Sequence, residues 1–135
     1  MVWTYRTLAD LPKVNDIVWC RFPERERPGI PADPPHPVLV RELEIYAPLG
    51  RAIVHVTYGT TKLKKLTREF IDLIVDKPAE MSALGLKKPT LFDLAESNRA
   101  PLIWCYEFFP NAFGIGHLSE ACIRRLNNRL TLWRR

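Results

Sequence analysis

The sequence lacks an apolar run that is long enough to cross a bilayer, and this absence sets the first limit on its class. A membrane-spanning helix needs about 20 consecutive apolar residues, and no stretch of the chain approaches that length. The N-terminal sequence MVWTYRTLADLPK also has no apolar segment of the kind found in secretory signals. We therefore expect a cytoplasmic protein that makes no membrane contact.

Cysteine and histidine are scarce as well. The chain has three histidines and three cysteines, and Cys20, Cys105 and Cys122 are far apart and form no CxxC pair. Disulfide frameworks and zinc sites need ligands that recur in pairs at short spacings. The sequence therefore predicts no cofactor, no metal site and no disulfide, and the thiols are expected to be buried in the core.

The chain is long enough for one domain and carries an excess of positive charge. Its 135 residues suit a single domain, with residues 1–14 as an N-terminal arm and residues 15–135 as the body. A net charge of +5 and a pI near 9.3 indicate a polyanionic partner. Basic residues concentrate after Thr61 and in the C-terminal segment, so nucleic acid is favoured over a membrane surface.

The most informative stretch is a β-branched run that ends at a glycine. Residues 53–58 alternate between two faces, with the period of a strand. Gly59 permits a turn that a side chain would resist, so Thr60 and Thr61 are expected at the strand exit with Lys62 beside them. Two hydroxyls and an ammonium can donate hydrogen bonds to a phosphate. An ordinary polar turn is the alternative interpretation.

Other short elements complete a mainly β protein. The patterns predict strands at 16–22, 38–43, 70–75, 90–94 and 102–106, a short helix at 79–84, and an amphipathic helix that Ser119 caps. Prolines make residues 23–37 an exposed loop. Trp3 and Tyr5 of the arm are expected to pack on the body or on a second copy. The aromatic run 106–110 suits a core, a dimer contact or the stacking of bases.

Five segments, taken in order, resemble the MazF/PemK/Kid family of toxin endoribonucleases. Asn15–Phe22 (NDIVWCRF) resembles the opening "GDIVWVDF" of that family, and His36–Val40 (HPVLV) resembles "RPALVL". The remaining similarities are the strand Val56–Thr61 with its two threonines, the strand pair Thr90–Leu94 and Leu102–Trp104, and Gly116–Glu120 before the closing helix. The order is preserved over roughly residues 14 to 132.

This resemblance implies an SH3-like small barrel with a C-terminal amphipathic helix, paired into a homodimer. It also implies a growth inhibitor of a type II toxin–antitoxin system that cuts single-stranded RNA without a metal and is neutralised by a cognate antitoxin protein. The 2′-hydroxyl of the RNA is then the nucleophile, and the products carry a 2′,3′-cyclic phosphate and a 5′-hydroxyl. The protein must supply a proton acceptor, a proton donor and charge stabilisation.

One departure concerns the candidate catalytic residues. Family members commonly have arginine before the proline of the "RP" pair, whereas this chain has His36. Arginine is a fixed cation, but histidine titrates near neutrality and can serve as an acid or a base. Either the chemistry uses an imidazole or the site is impaired. Thr60 is expected to bind the scissile phosphate, and Arg21 is expected to replace some of the missing charge, unless it is an ordinary surface arginine.

Four neighbouring residues are expected to bind RNA. Their hydroxyl and ammonium groups suit the phosphate backbone, and they are Thr61, Lys62, Lys64 and Lys65. A non-catalytic SH3-like barrel that binds a peptide or nucleic acid is the main alternative function, and an accessory phage or plasmid protein is a third. His55 is expected to be structural, and His117 has no evident partner in the sequence.

Overall fold

The computed structural model describes residues 2–63, 71–111 and 116–133 of the chain. They form a mainly β protein in which a curled antiparallel sheet makes half a barrel and one long helix closes the chain. The elements, in order, are β1 (Asp16–Cys20), β2 (His36–Tyr46), β3 (Arg51–Thr60), β4 (Leu73–Val75), α1 (Pro78–Ala83), β5 (Thr90–Phe92), β6 (Arg99–Ile103), β7 (Gly116–His117) and α2 (Glu120–Trp133).

Strand β3 is the centre of the sheet because it has partners along both edges. One edge pairs with β2 over most of its length, and the other pairs first with β6 and then with β5. The strand order is β4-β5-β3-β2-β1-β7, with β6 beside β3. A short turn joins β2 to β3, and Gly50 completes it with a φ of +64°, which glycine adopts without strain.

Most predicted strands are confirmed, but the sixth is displaced. The pattern placed it at residues 102–106 and left Pro101 in a connection, whereas β6 begins at Arg99 and includes Pro101. Among the described residues β6 pairs only with β3, opposite His55 and its neighbours. Proline is tolerated in such an edge strand because its nitrogen, which carries no hydrogen to donate, can face away from the neighbouring strand. Of the strand predicted at 70–75, Phe70 lies outside the described residues.

The sheet is covered on both faces. One core cluster contains Val18, Val38 and Val54 with Trp104 and Phe109, and the other contains residues from β1, β2, β4, β5 and α2. The three cysteines are free and buried, as predicted. Burial raises the pKa of the Cys20 and Cys105 thiols, so both remain protonated and unreactive at neutral pH.

Helix α2 packs one stripe on the second cluster, as its sequence predicts. The backbone N–H of Cys122 donates to Ser119 Oγ at 3.1 Å, which confirms the predicted N-cap. Cys122 and Leu126 are the residues of α2 that this stripe buries. On the flank of the helix, Arg125 pairs with Glu80 of α1 at 2.9 Å, and this hydrogen bond lowers the pKa of the Glu80 carboxyl. The pair fixes α1 against α2.

The N-terminal arm packs on the body of its own chain. Trp3 stacks on Phe108 with ring centroids 5.0 Å apart. The Arg6 guanidinium lies 4.0 Å from the Tyr106 ring centre and donates to the Phe109 carbonyl at 2.8 Å. Phe108 and Phe109 are buried in the core, so these two rings of the 106–110 run are not available to stack bases, whereas Tyr106 is exposed. Of the helices in the described ranges, none combines the length and the apolar character that membrane crossing requires.

Replacing Gly59 by alanine should destabilise the fold, since a Cβ there would lie 2.3 Å from the Pro37 carbonyl oxygen and 2.8 Å from the Phe92 ring. We expect a loss of about 1–3 kcal/mol in the free energy of unfolding, the usual result of overpacking. Urea denaturation measures this. Gly29→Ala is the matched control, because its added Cβ would meet no described atom within 4 Å. Equal midpoints for the two variants would contradict the close approach of β2 and β3.

Candidate functional site

His36 begins β2 and lies between two clefts, to both of which it contributes. The first, which we call the loop cleft, measures about 700 Å³. Its walls come from the proline-rich loop and from the start of β6, and they include Phe22, Pro23, Arg25, Pro28, Asp33, Pro34, His36, Tyr58, Asn98 and Arg99.

The second, which we call the lysine cleft, measures about 470 Å³. It is lined by Trp19, Pro35, His36, Pro37, Thr61, Gly85, Leu86, Lys87, Lys88 and Thr90.

Three rings form an aromatic wall in the loop cleft. Tyr58 lies in the middle, with its ring centre 5.2 Å from that of Phe22 and 5.1 Å from that of His36. The β2–β3 register pairs Val38 with Tyr58, so His36 is the diagonal neighbour of Tyr58 on the adjacent strand. The rings are tilted rather than stacked on one another. Planar groups such as nucleobases can pack against such a wall.

Arg21 supports the loop and does not reach either cleft. Its Nε donates to Asp33 Oδ1 at 2.7 Å, and its carbonyl accepts a hydrogen bond from the Ala32 N–H at 3.3 Å. The residues that line the two clefts in the described parts of the chain do not include it. The structure therefore places the predicted charge donor behind the loop, where its guanidinium is paired with a carboxylate.

The lysine cleft contains two cations that sequence reasoning missed. Lys87 and Lys88 are exposed and follow Gly85, which ends the α1 region with a φ of +69°. The adjacent pair of lysines after a glycine was the available signal. Trp19 adds an exposed aromatic face to the same cleft.

The two strand-exit threonines have different positions. Continuing the β2–β3 register by two residues from the Val38–Tyr58 pair places Thr60 opposite His36. The Thr60 Oγ1 accepts a hydrogen bond from the Lys62 N–H at 3.1 Å, so part of its bonding capacity serves the local turn. Thr61 is exposed and lines the lysine cleft together with His36. Thr60 is therefore opposite His36 in the strand register, and Thr61 shares the open cleft with His36.

The environment of His36 favours a neutral imidazole. Partial burial, followed by the charge of Lys62, lowers the pKa of His36 from its ordinary value of 6.5. A neutral imidazole can accept a proton at pH 7, which is the property that a general base requires. Lys62 lies near enough to His36 for its charge to lower that pKa, whereas Lys64 and Lys65 lie outside the described residues. The RNA-binding role of these lysines stays a prediction.

The other two histidines are engaged elsewhere. His117 Nδ1 lies 2.7 Å from Asp16 Oδ1, where β1 meets β7. That partner was not foreseen from the sequence. His55 contacts two glutamates on the outer surface of the β2–β3 hairpin. His36 is thus the histidine that the described residues place in a cleft with cations.

The fold and the clefts define a small, basic β protein with a histidine between an aromatic wall and a cationic cleft. No family model matches the chain, and no curated protein matches it either. The similarity to the toxin endoribonucleases therefore depends on the short motifs quoted above and stays a prediction.

NMR titration of the His36 ring should give a pKa below 6.5, because burial and Lys62 both disfavour the imidazolium. In Lys62→Gln the value should rise, but it should stay below 6.5 because the larger cause, burial, remains. Lys87→Gln is the control, since Lys87 lines the cleft without being among the causes of the shift. A His36 pKa that is the same with and without Lys62 would show that the two charges do not interact.

Proposed function

We propose that this protein is a toxin-like endoribonuclease that cleaves single-stranded RNA and is built on an SH3-like barrel. The observation that carries the proposal is the position of His36, a partly buried imidazole between a cleft with cations and a cleft with aromatic walls. A growth inhibitor of a type II toxin–antitoxin system, with a homodimeric assembly and an antitoxin partner, is the biological role that the motif resemblance supports.

The two clefts suit the two chemical parts of an RNA strand. Lys87 and Lys88 line the cleft on one side of His36 and provide ammonium groups for the phosphates, and Lys62 lies near enough to His36 to add its charge. Tyr58 and Phe22 provide ring faces for a base on the other side. Bases can reach such faces only when they are unstacked, so a single strand is the form of RNA that fits.

The chemistry follows from the groups around the bound phosphate. His36, neutral at pH 7, accepts the proton of the 2′-hydroxyl, whose oxygen attacks the adjacent phosphorus. Thr61 donates a hydrogen bond to the phosphorane, and Lys62 stabilises its charge and supplies a proton to the departing 5′-oxygen. The products carry a 2′,3′-cyclic phosphate and a 5′-hydroxyl. The sequence departure at position 36 thus replaces a fixed cation by a base, and lysines provide the positive charge.

A non-catalytic role is the second candidate, and the loop cleft favours it. Four of its lining residues are prolines, which stand beside the rings of Phe22 and Tyr58. Prolines and aromatic rings also form the grooves in which extended peptides dock. A barrel of this kind would bind a peptide or nucleic acid and leave RNA intact.

Incubation with single-stranded RNA in EDTA should give cleavage to 2′,3′-cyclic phosphate ends, read by gel and by end-group analysis. His36→Ala should reduce the rate by about 10²–10⁴-fold, the usual contribution of a general base. Thr61→Ala should reduce it further than Thr60→Ala, because Thr60 Oγ1 is already used in its turn. His117→Ala is the control and should cleave like the native chain.

The pH profile adds a second readout to the same experiment. The cleavage rate should fall as pH decreases through the His36 pKa, below 6.5, because protonation removes the base. In Lys62→Gln this acidic limb should shift to higher pH. RNA that binds but stays intact with native protein would instead support the non-catalytic barrel, and equal cleavage by His36→Ala would exclude the imidazole mechanism.

RNA binding should depend on salt through the lysine cleft. For single strands, log K falls with log[salt] by about 0.7 per phosphate that a cation neutralises. Lys87→Gln should therefore reduce the slope by about 0.7, as measured by fluorescence anisotropy with a labelled oligonucleotide over a salt series. Lys13→Gln, an exposed lysine in the turn before β1, is the charge-matched control. Identical slopes for both variants would place the RNA elsewhere.

A further inference from the structure

Three metal-ligating side chains meet on the outer surface of the β2–β3 hairpin, away from the two clefts. We call Glu42, Glu44 and His55 the hairpin triad. His55 Nε2 lies 2.5 Å from Glu44 Oε2 and 3.6 Å from Glu42 Oε2. One ligand atom from each of the three residues lies within 4.8 Å of the others. The triad is a concentration of negative charge in a protein whose net charge is +5.

The strand geometry explains why these side chains converge. The β2–β3 register shifts between Val40 and Glu42, so that Glu42 pairs directly with His55. Glu44 is two residues further along β2 and therefore projects on the same face. The three groups are held by two paired strands of the central sheet, which position side chains more firmly than loops do.

Each carboxylate is also oriented from outside the triad. Glu42 Oε1 lies 3.6 Å from Arg99, and Glu44 Oε1 accepts a hydrogen bond from the Tyr46 hydroxyl at 3.1 Å. In both residues the second oxygen, Oε2, is the one that faces His55 Nε2. Ligands of protein metal sites are oriented in this way by partners in the surrounding shell.

The donor set and its spacing point to one class of ion. Tetrahedral zinc binds nitrogen and carboxylate oxygen at about 2.0–2.2 Å, which puts neighbouring donors about 3.4 Å apart. The triad distances of 2.5 and 3.6 Å lie on either side of that value. Calcium and magnesium prefer sets made only of oxygen, whereas imidazole nitrogen favours zinc and similar transition metals.

We infer that the hairpin triad is a binding site for a divalent transition-metal ion of the zinc class. The ion takes the place of the hydrogen bond between His55 Nε2 and Glu44 Oε2, which lie 2.5 Å apart. Three protein ligands leave a fourth position for water. Glu42 is six residues along β2 from His36, a distance of about 20 Å for a strand. The metal therefore takes no part in the proposed RNA cleavage, and its binding does not depend on that function.

Isothermal titration of the tag-free, metal-stripped chain with zinc chloride tests the site. We expect one equivalent of zinc to bind, and magnesium chloride to give no comparable binding. His55→Gln should abolish that binding, while Glu42→Gln and Glu44→Gln should each weaken it. Tyr46→Phe should weaken it by about 10-fold, since it removes only an outer partner. His117→Gln, which alters a histidine paired with a carboxylate at a different surface site, should bind zinc like the native chain.

Circular dichroism identifies any variant that fails to fold. If the ligand variants do not fold, Tyr46→Phe still tests the site, because it retains all three ligands. The thermal midpoint of the native chain should rise with zinc concentration, because a ligand of the folded state stabilises it. Zinc binding that survives in folded His55→Gln, or that is missing from the native chain, would overturn the assignment. Either result leaves the RNA cleavage assay in EDTA unaffected, so the two proposals fail separately.

Discussion

The close contact between β2 and β3 at Gly59 is the constraint on which the candidate site depends. A side chain at this position would collide with the Pro37 carbonyl, so only glycine lets the two backbones stay together to the end of β3. The same residue also pairs with Phe92 of β5 on its other side. Because of this contact the strand exit, with Thr60 and Thr61, lies next to His36.

The surroundings of His36 at this strand exit favour the neutral form of its imidazole. The imidazole is partly buried against Tyr58, and a nearby ammonium adds a second reason for it to stay neutral. Lysines would normally be expected to serve only as phosphate ligands. Here the charge of Lys62 also lowers the pKa of the adjacent His36 imidazole and so favours its neutral form.

Local sequence patterns predicted the parts of the fold that local physics controls. Alternation located β1, β2 and β3, and helical spacing with Ser119 located α2. The displaced β6 could not be predicted, because proline there is allowed only by an edge position that tertiary structure decides. His36 and Lys62 were also identified from the sequence. Lys87 and Lys88 were not, because only the tertiary structure brings the segment after α1 to the cleft.

The β2–β3 hairpin separates opposite charges along its length. At the open end, where β2 begins and β3 ends, the surrounding side chains include Lys62, Lys87 and Lys88. Towards the turn, two carboxylates flank His55. A polyanion is attracted to the first region and repelled by the second, whereas a divalent cation has the opposite preference. At physiological ionic strength the Debye length is about 8 Å, which is well below the roughly 20 Å between the regions. The field of each region therefore decays before it reaches the other.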